Sequence, residues 1–201
     1  MLSNSFKWRH YEGEIILLDV RWYLKYSLSY GNLKEMMIER GIKVDYSTIM
    51  RWVHQYFPKI EKKIRRHLRP TNDSWRVDET YIKVKGKRKY FYRAVDSNGD
   101  TIDFMLSAKR DRKAAKRFFK KALSYNHNQI PRVITIDKNA AYPSAIDELT
   151  NDKILPENVG IRQIKYLNNI IEQDHRSIKR IVNPMLGFQS FRSANKTLDS
   201  I

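Results

Sequence analysis

The stretch 74-SWRVDETYIKV-84, continued by 89-KYFYRAV-95, decides the fold. Trp75, Val77, Glu79 and Tyr81 alternate with Asp78, Thr80, Ile82 and Val84, so the first run reads as a strand with one set of side chains on each face. Asp78 then lies mid-strand on a partly apolar face, where a charge is costly unless it has a ligand or a partner. Lys85 to Lys87 reads as a turn, Lys89 to Val95 as a second strand, Ser97 to Asp100 as a hairpin turn with an Asn-Gly signal, and Thr101 to Leu106 as a third strand.

Downstream the period changes. A basic helix is expected from Asp111 to Tyr125, a buried strand from Arg132 to Ile136, a helix from Asn139 to Leu149, a short strand at Gly160 to Ile164, and a helix from Asn168 to Val182. Three antiparallel strands followed by alternating helix and strand is the element order of a ribonuclease-H-like α/β fold, a mixed sheet with helices on both faces. In such a sheet a carboxylate at the carboxyl end of a buried strand opens onto the ligand cleft, and Asp137 ends the run RVITID.

Upstream, residues 14 to 68 read as helices, and Pro70 to Ser74 interrupt them with turn formers. The chain thus divides into residues 1–70, an all-α helix-turn-helix region, and residues 74–201, the α/β core. Ile16, Val20, Tyr23 and Leu24 recur at helical spacing, and Ser29 to Gly31 break that helix. Asn32 with Glu35 predicts a capping box for a helix from Leu33 to Arg40, which Gly41 closes. Asp45 caps a third helix, Tyr46 to Tyr56, with Ile49, Val53 and Tyr56 buried and Ser47, Thr48, Arg51 and Gln55 on the open side. Two short helices around Gly41 suit a helix-turn-helix whose second helix reads the DNA major groove. A purely structural helical bundle also fits this pattern. The basic run 59–69 leads into the second part, and Trp22 and Trp52 read as core.

The 201 residues hold 39 Lys+Arg against 22 Asp+Glu, a net charge of +17, which favours a polyanionic partner. Residues 1–70 carry 14 of those basic and 7 of those acidic groups. No cysteine is present, which excludes disulfides and thiolate zinc sites, and no early apolar run is long enough to span a bilayer. A soluble protein of a reducing cytoplasm is expected, with no membrane partner.

Asp78, Asp137 and Glu172 come from three separate elements, and Lys179 follows Glu172 by two helical turns. Acidic oxygens from separate elements are what a two-metal phosphoryl-transfer site needs, since two hard cations about 3.5–4 Å apart must be held by oxygen ligands. On the last helix Ile171, Ile178, Ile181 and Val182 form the apolar stripe, while Glu172, His175 or Arg176, and Lys179 line a polar strip. Glu79 is expected to face the other side of its strand, outside the site, and Asp96 is a weaker alternative ligand.

The runs WRVDETYIKVKGKRKYFYRAVD, VITIDKNAAYPSAI and KYLNNIIEQDHRSIKR resemble the catalytic region of DDE-type bacterial transposases of the insertion-sequence-six-like family. The segment YLKYSLSYGNLKEMMIERGIKVDYSTIMRWV resembles that family's helix-turn-helix, and the similarity covers about residues 8 to 198. The resemblance implies that Asp78, Asp137 and Glu172 are the metal-binding triad, holding two Mg²⁺ or Mn²⁺ ions, and that Lys179 is the basic residue that accompanies it. It implies binding to double-stranded DNA at the terminal inverted repeats of an insertion sequence, exposure of 3′-hydroxyl ends and their joining to target DNA. A homo-oligomer in the bacterial cytoplasm, associated with the nucleoid, is expected. Family members continue past RSANKTL, so a C-terminally truncated copy is expected, with Leu186, Phe188 and Phe191 partly exposed, lower stability and little or no transposition activity. A non-enzymatic helix-turn-helix DNA-binding protein and a nuclease of the same fold remain as alternatives.

Overall fold

The structure is a computed structural model, and it describes residues 10–26, 28–64, 70–164, 169–183 and 187–198. The chain divides into two compact units: Met1–His67 with Arg180–Leu186 and Lys196–Ile201, and Leu68–Lys179 with Gly187–Asn195. Residues 180–186 and 196–201 thus group with the helical unit, which a single division at 70–74 does not allow for.

The helical unit holds α1 (Gly13–Lys25), α2 (Tyr30–Ile38) and α3 (Tyr46–Ile64). Ile16, Val20 and Tyr23, one face of α1, are buried against Leu33, Met37, Ile49, Val53 and Tyr56. Asp19 lies among them, fully buried, and neither carboxylate oxygen has a hydrogen-bond partner among the described residues. Ser29 to Gly31 do not merely break a helix: Ser29 is the N-cap of α2 and Asn32 is its reciprocal partner, donor and acceptor of the capping box. A serine hydroxyl one turn earlier reaches the free N–H groups, so Asn32 becomes the third helical residue instead of the cap. Gly41, at φ 74°, closes the C-terminus, its N–H bonding Ile38 and the Ile42 N–H bonding Met37. Asp45 caps α3 through a 2.9 Å bond from the Ser47 N–H. The helix runs past the expected stop at Tyr56 and through Pro58, because Phe57 and Ile60 continue its apolar face. Residues 65–69 of the basic run lie outside the described residues. In α7 (Phe191–Leu198), an element absent from the sequence reading, Thr197 Oγ1 lies 3.3 Å from the Tyr23 hydroxyl.

The second unit is a five-stranded sheet, β1 (Ser74–Val84), β2 (Lys87–Asp96), β3 (Thr101–Ser107), β4 (Val133–Thr135) and β5 (Gly160–Arg162), in the order β3-β2-β1-β4-β5. The first three strands are antiparallel, and β4 is parallel to both β1 and β5. A two-residue turn joins β1 to β2, with Lys85 at φ 50° and Gly86 at φ 71°, the handedness that matches strand twist. On one face Trp75, Val77 and Tyr92 pack under α4 (Arg112–Leu123) and α5 (Ala141–Asn151), where Phe118, Phe119 and Tyr142 are fully buried. On the other face Asp78 and its cross-strand partner Arg93 meet α6 (Asn169–Val182). Asp96, the weaker alternative, is buried, accepts from the Asn98 and Asp100 N–H groups at 2.9 Å and from the Asn72 N–H at 3.0 Å, and so holds the β2–β3 turn. Phe188 is buried and bridges to Val84, against the expected exposure, whereas Phe191 is exposed; Leu186 lies outside the described residues.

Candidate active site

The site begins with strand lengths. β1 has eleven residues, yet only Ser74 to Arg76 pair with β4, so its edge beyond Arg76 opens into a cleft instead of continuing the sheet. Asp78 projects from that open segment, and Asp137 follows β4 by two residues. The Asn139 N–H donates to Asp137 at 2.9 Å, an Asx-type turn that fixes the carboxylate at the strand end. Asp78, Glu79 and Asp137 each place one carboxylate oxygen within 4.8 Å of the others.

These three groups are not equivalent. Glu79 is almost fully buried and accepts from the Tyr142 hydroxyl, from Arg110 and, at 3.5 Å, from the Asn139 amide. Arg110 also reaches Asp137 at 3.4 Å. Burial raises the Glu79 pKa, with the Tyr142 and Arg110 bonds opposing it. Glu79 does belong to the opposite face of β1, with Tyr142, yet one of its carboxylate oxygens lies within 4.8 Å of oxygens of Asp78 and Asp137. Asp78 has weaker support. Burial pushes its carboxyl up to about 7, partly offset by the Glu79 backbone N–H and reinforced by the charges of Glu79, Asp137 and Glu172.

Glu172, Arg176 and Lys179, exposed on one face of α6, line the same cleft as Asp78. His175 does not join a solvated strip. It is buried, its Nδ1 is 3.6 Å from Asp78, and burial with the Arg93 and Lys179 charges lowers its pKa to about 4. The contact is therefore between a neutral imidazole and a carboxyl group, not an ion pair. Arg93, buried on β2, donates to Asp174 of α6 at 2.9 Å and to Thr101 at 3.0 Å. Neither that anchor nor the Glu79–Tyr142–Arg110 set is legible from spacing, since both join elements distant in sequence; the Asp137-Lys138-Asn139 turn is.

The donor set fits a divalent cation. Carboxylates this close cannot all ionise without positive charge between them, and hard divalent ions prefer such oxygens. Of the three side chains, Asp137 and Asp78 are the more accessible and Glu79 the most enclosed.

In the helical unit, Arg51 and Gln55 of α3 are exposed, and Ser47 and Thr48 are half-buried. Arg51 bonds the Thr48 hydroxyl at 3.0 Å and the Ser47 carbonyl at 3.3 Å, which aligns a polar strip along the helix.

A family model described as a DDE domain, DDE_Tnp_IS240, matches residues 72–201. The chain is 36% identical over 198 residues to the transposase for insertion sequence-like element IS431mec of Staphylococcus aureus, covering 98% of this chain and 86% of that protein. It is 35% identical, over the same shares, to the transposase for insertion sequence element IS257 in transposon Tn4003 of the same organism. The HTLV-2 integrase catalytic core domain in complex with magnesium, in its trimeric form, superposes with a TM-score of 0.50 at 18% identity, over 65% of this chain and 82% of that one. That superposition shows a ribonuclease-H-like fold. Together with the acidic residues gathered at the open end of β1, the match across nearly the whole chain makes it a member of the insertion-sequence-six-like family of DDE transposases.

Proposed function

We propose that this transposase cuts and joins DNA at the terminal inverted repeats of its insertion sequence, with Asp78, Asp137 and Glu172 as ligands of two Mg²⁺ or Mn²⁺ ions. The observation that supports this reading is that Asp78 of β1 has a carboxylate oxygen within 4.8 Å of one of Asp137, at the end of β4, and shares the lining of one cleft with Glu172 and Lys179 of α6. Two such ions supply charge neutralisation of the attacking and leaving oxygens of an in-line displacement.

The residues divide the remaining work. Asp78 and Asp137 hold their oxygens at fixed positions on the sheet, and Glu172 brings a third from α6. Lys179 offers an ammonium to a phosphate oxygen next to the scissile bond. Neutral His175 limits how the Asp78 carboxyl can turn, and Arg110 balances Glu79. In the first step water attacks the phosphorus at the element end and the P–O3′ bond breaks, leaving a free 3′-hydroxyl on the element and a 5′-phosphate on the flank; in the second that hydroxyl attacks a target phosphorus, forming a new phosphodiester and releasing the target strand's own 3′-hydroxyl. Neither step uses a covalent enzyme intermediate. The helical unit acts as a helix-turn-helix, with Ser47, Thr48, Arg51 and Gln55 of α3 facing the DNA, and a homo-oligomer brings two element ends together in the bacterial cytoplasm and nucleoid.

The test is incubation of the purified chain and Mg²⁺ with the DNA flanking its own gene. Strand cleavage followed by joining of the new 3′ ends to a plasmid is expected. Cleavage without joining would favour a nuclease, and sequence-specific binding without cleavage a DNA-binding protein that is not an enzyme.

A further inference from the structure

The β1–β2 hairpin beyond the acidic residues has no role in the site described above. Residues 83–89 read Lys-Val-Lys-Gly-Lys-Arg-Lys, five basic groups and no acidic one. Lys83, Lys85, Lys87 and Arg88 are exposed, and no ion pair involves them among the described residues.

A basic run is most often a solvated face, but this one is built. The turn is set by positive φ at Lys85 and Gly86. The tip is also clamped from outside: the Phe188 N–H donates to the Lys83 carbonyl at 2.9 Å, and the Lys85 N–H donates to the Phe188 carbonyl at 2.7 Å. Gly187 makes this approach possible, since a Cβ there would stand 3.0 Å from the Lys83 Cβ. The backbone that carries the charges is therefore held in place. Between them and the acids stands Tyr81, 47% exposed, with the Arg88 guanidinium 5.6 Å from its ring centre. Tyr81 lines the same cleft as Asp78 and Glu172. Strand rise puts Val84 and its partner Lys87 about 20 Å from Asp78, roughly six base pairs along a duplex.

We propose that this hairpin is a duplex-binding arm of the catalytic unit, with Lys85, Lys87 and Arg88 on phosphates of the DNA that enters the cleft and Tyr81 against its sugar–base edge. The partner is double-stranded DNA because the surface is cationic, rigid, and continuous with a cleft suited to a phosphodiester. The proposal rests on the transposase reading for the position of the scissile phosphate. The arm's grip is sequence-independent and separate from Ser47, Thr48, Arg51 and Gln55.

The test uses the full chain, a random-sequence duplex of about 40 base pairs as probe, and Ca²⁺ in place of Mg²⁺. Affinity is measured against salt concentration, and thermal melting of each variant confirms folding. Lys87→Gln/Arg88→Gln is expected to lower the slope of log affinity against log salt by about two units and Tyr81→Ala to weaken binding several-fold, while Tyr81→Phe binds as the parent does. Lys113→Gln, an exposed α4 residue off the hairpin, is expected to keep the parent slope. A parent slope in the double variant, or an equal loss per charge in the Lys113 control, overturns the proposal. A parent chain that shows the hairpin-dependent slope but cleaves no DNA with Mg²⁺ supports the arm and overturns the transposase reading instead.

Discussion

Arg93, buried, and Asp174, largely enclosed, form a fork-to-carboxylate pair that anchors α6 to β2, directly opposite Asp78 on the neighbouring strand. Glu172 sits two residues before Asp174 on that helix, so its distance from Asp78 is governed by this contact. Arg93→Met leaves a carboxylate without its partner, and a broken buried pair costs about 3–5 kcal/mol. Asp174→Asn keeps the shape but not the charge. Both are expected to lower the melting temperature and the cleavage rate, and the swapped pair Arg93→Asp/Asp174→Arg is expected to recover part of the stability. Parent-like cleavage in Arg93→Met would show that Glu172 is placed by other contacts.

Asp78→Asn, Asp137→Asn and Glu172→Gln are each expected to abolish cleavage and joining while leaving duplex affinity nearly intact, because cation ligation needs ionised oxygens. Glu79→Gln serves as the contrast. Its oxygens already serve Tyr142, Arg110 and Asn139, so it is expected to retain measurable cleavage. Complete inactivity in Glu79→Gln with activity in Glu172→Gln would move the ligand set to Asp78, Glu79 and Asp137.

Stability without divalent ions should depend on pH through Asp78 and His175 in opposite senses. The Asp78 carboxyl, raised to about 7, favours the folded state below the usual carboxylate range, and this contribution is lost as pH rises through 7. His175, lowered to about 4, favours the folded state above its ordinary range, and this contribution is lost as pH falls from about 6.5 through 4. Asp78→Asn should therefore raise the melting temperature at pH 8 and leave a monotonic loss on acidification. Added Mg²⁺ should raise the melting temperature of the parent more than that of the variant. Equal Mg²⁺ shifts in both proteins would remove Asp78 from the ligand set.

Arg51→Ala or Gln55→Ala in the full chain is expected to cost about 1–3 kcal/mol of preference for element-end over random DNA. The full chain is required because residues 180–186 and 196–201 group with the helical unit. Competition binding measures the preference. An unchanged preference in both variants would make α3 a structural helix.

Asp19 offers a separate stability test. It is fully buried, burial raises its carboxyl to about 7, and no described side chain bonds it. Asp19→Asn should stabilise the protein by about 1–3 kcal/mol at pH 8 and have little effect at pH 5, where the acid is already neutral. Denaturant unfolding at the two pH values checks this. A loss of stability at pH 8 would mean that the charge has a partner.

Local chemistry accounts for what the sequence disclosed. The Asn-Gly turn, the alternation through Trp75 to Val84 and the apolar run before Asp137 each act over a few residues, so the order of elements along the chain, Asp78 within a strand and Asp137 after one could be read directly. Ser29 replaced Asn32 as the cap because two candidate hydroxyl or amide groups lay one turn apart, and propensity alone did not separate them. The helix through Pro58 persisted because packing of Phe57 and Ile60 outweighed a local breaker. Contacts such as Arg93–Asp174 and Glu79–Tyr142 join positions far apart in the chain, and no periodicity encodes them.

Those distant contacts also set a timetable for a newly made molecule. Glu79 must wait for a partner 63 positions later and Arg93 for one 81 positions later, so most of the site's closures are non-local and come late in folding. At synthesis rates of about 5–20 residues per second, Glu172 leaves the ribosome roughly 5–20 s after Asp78. During that interval the hairpin strands can pair, but the growing polypeptide has no complete set of acids. On the proposed ligand set, catalytic competence arrives with α6, and a translational pause between Thr135 and Glu172 would postpone it without altering a single residue.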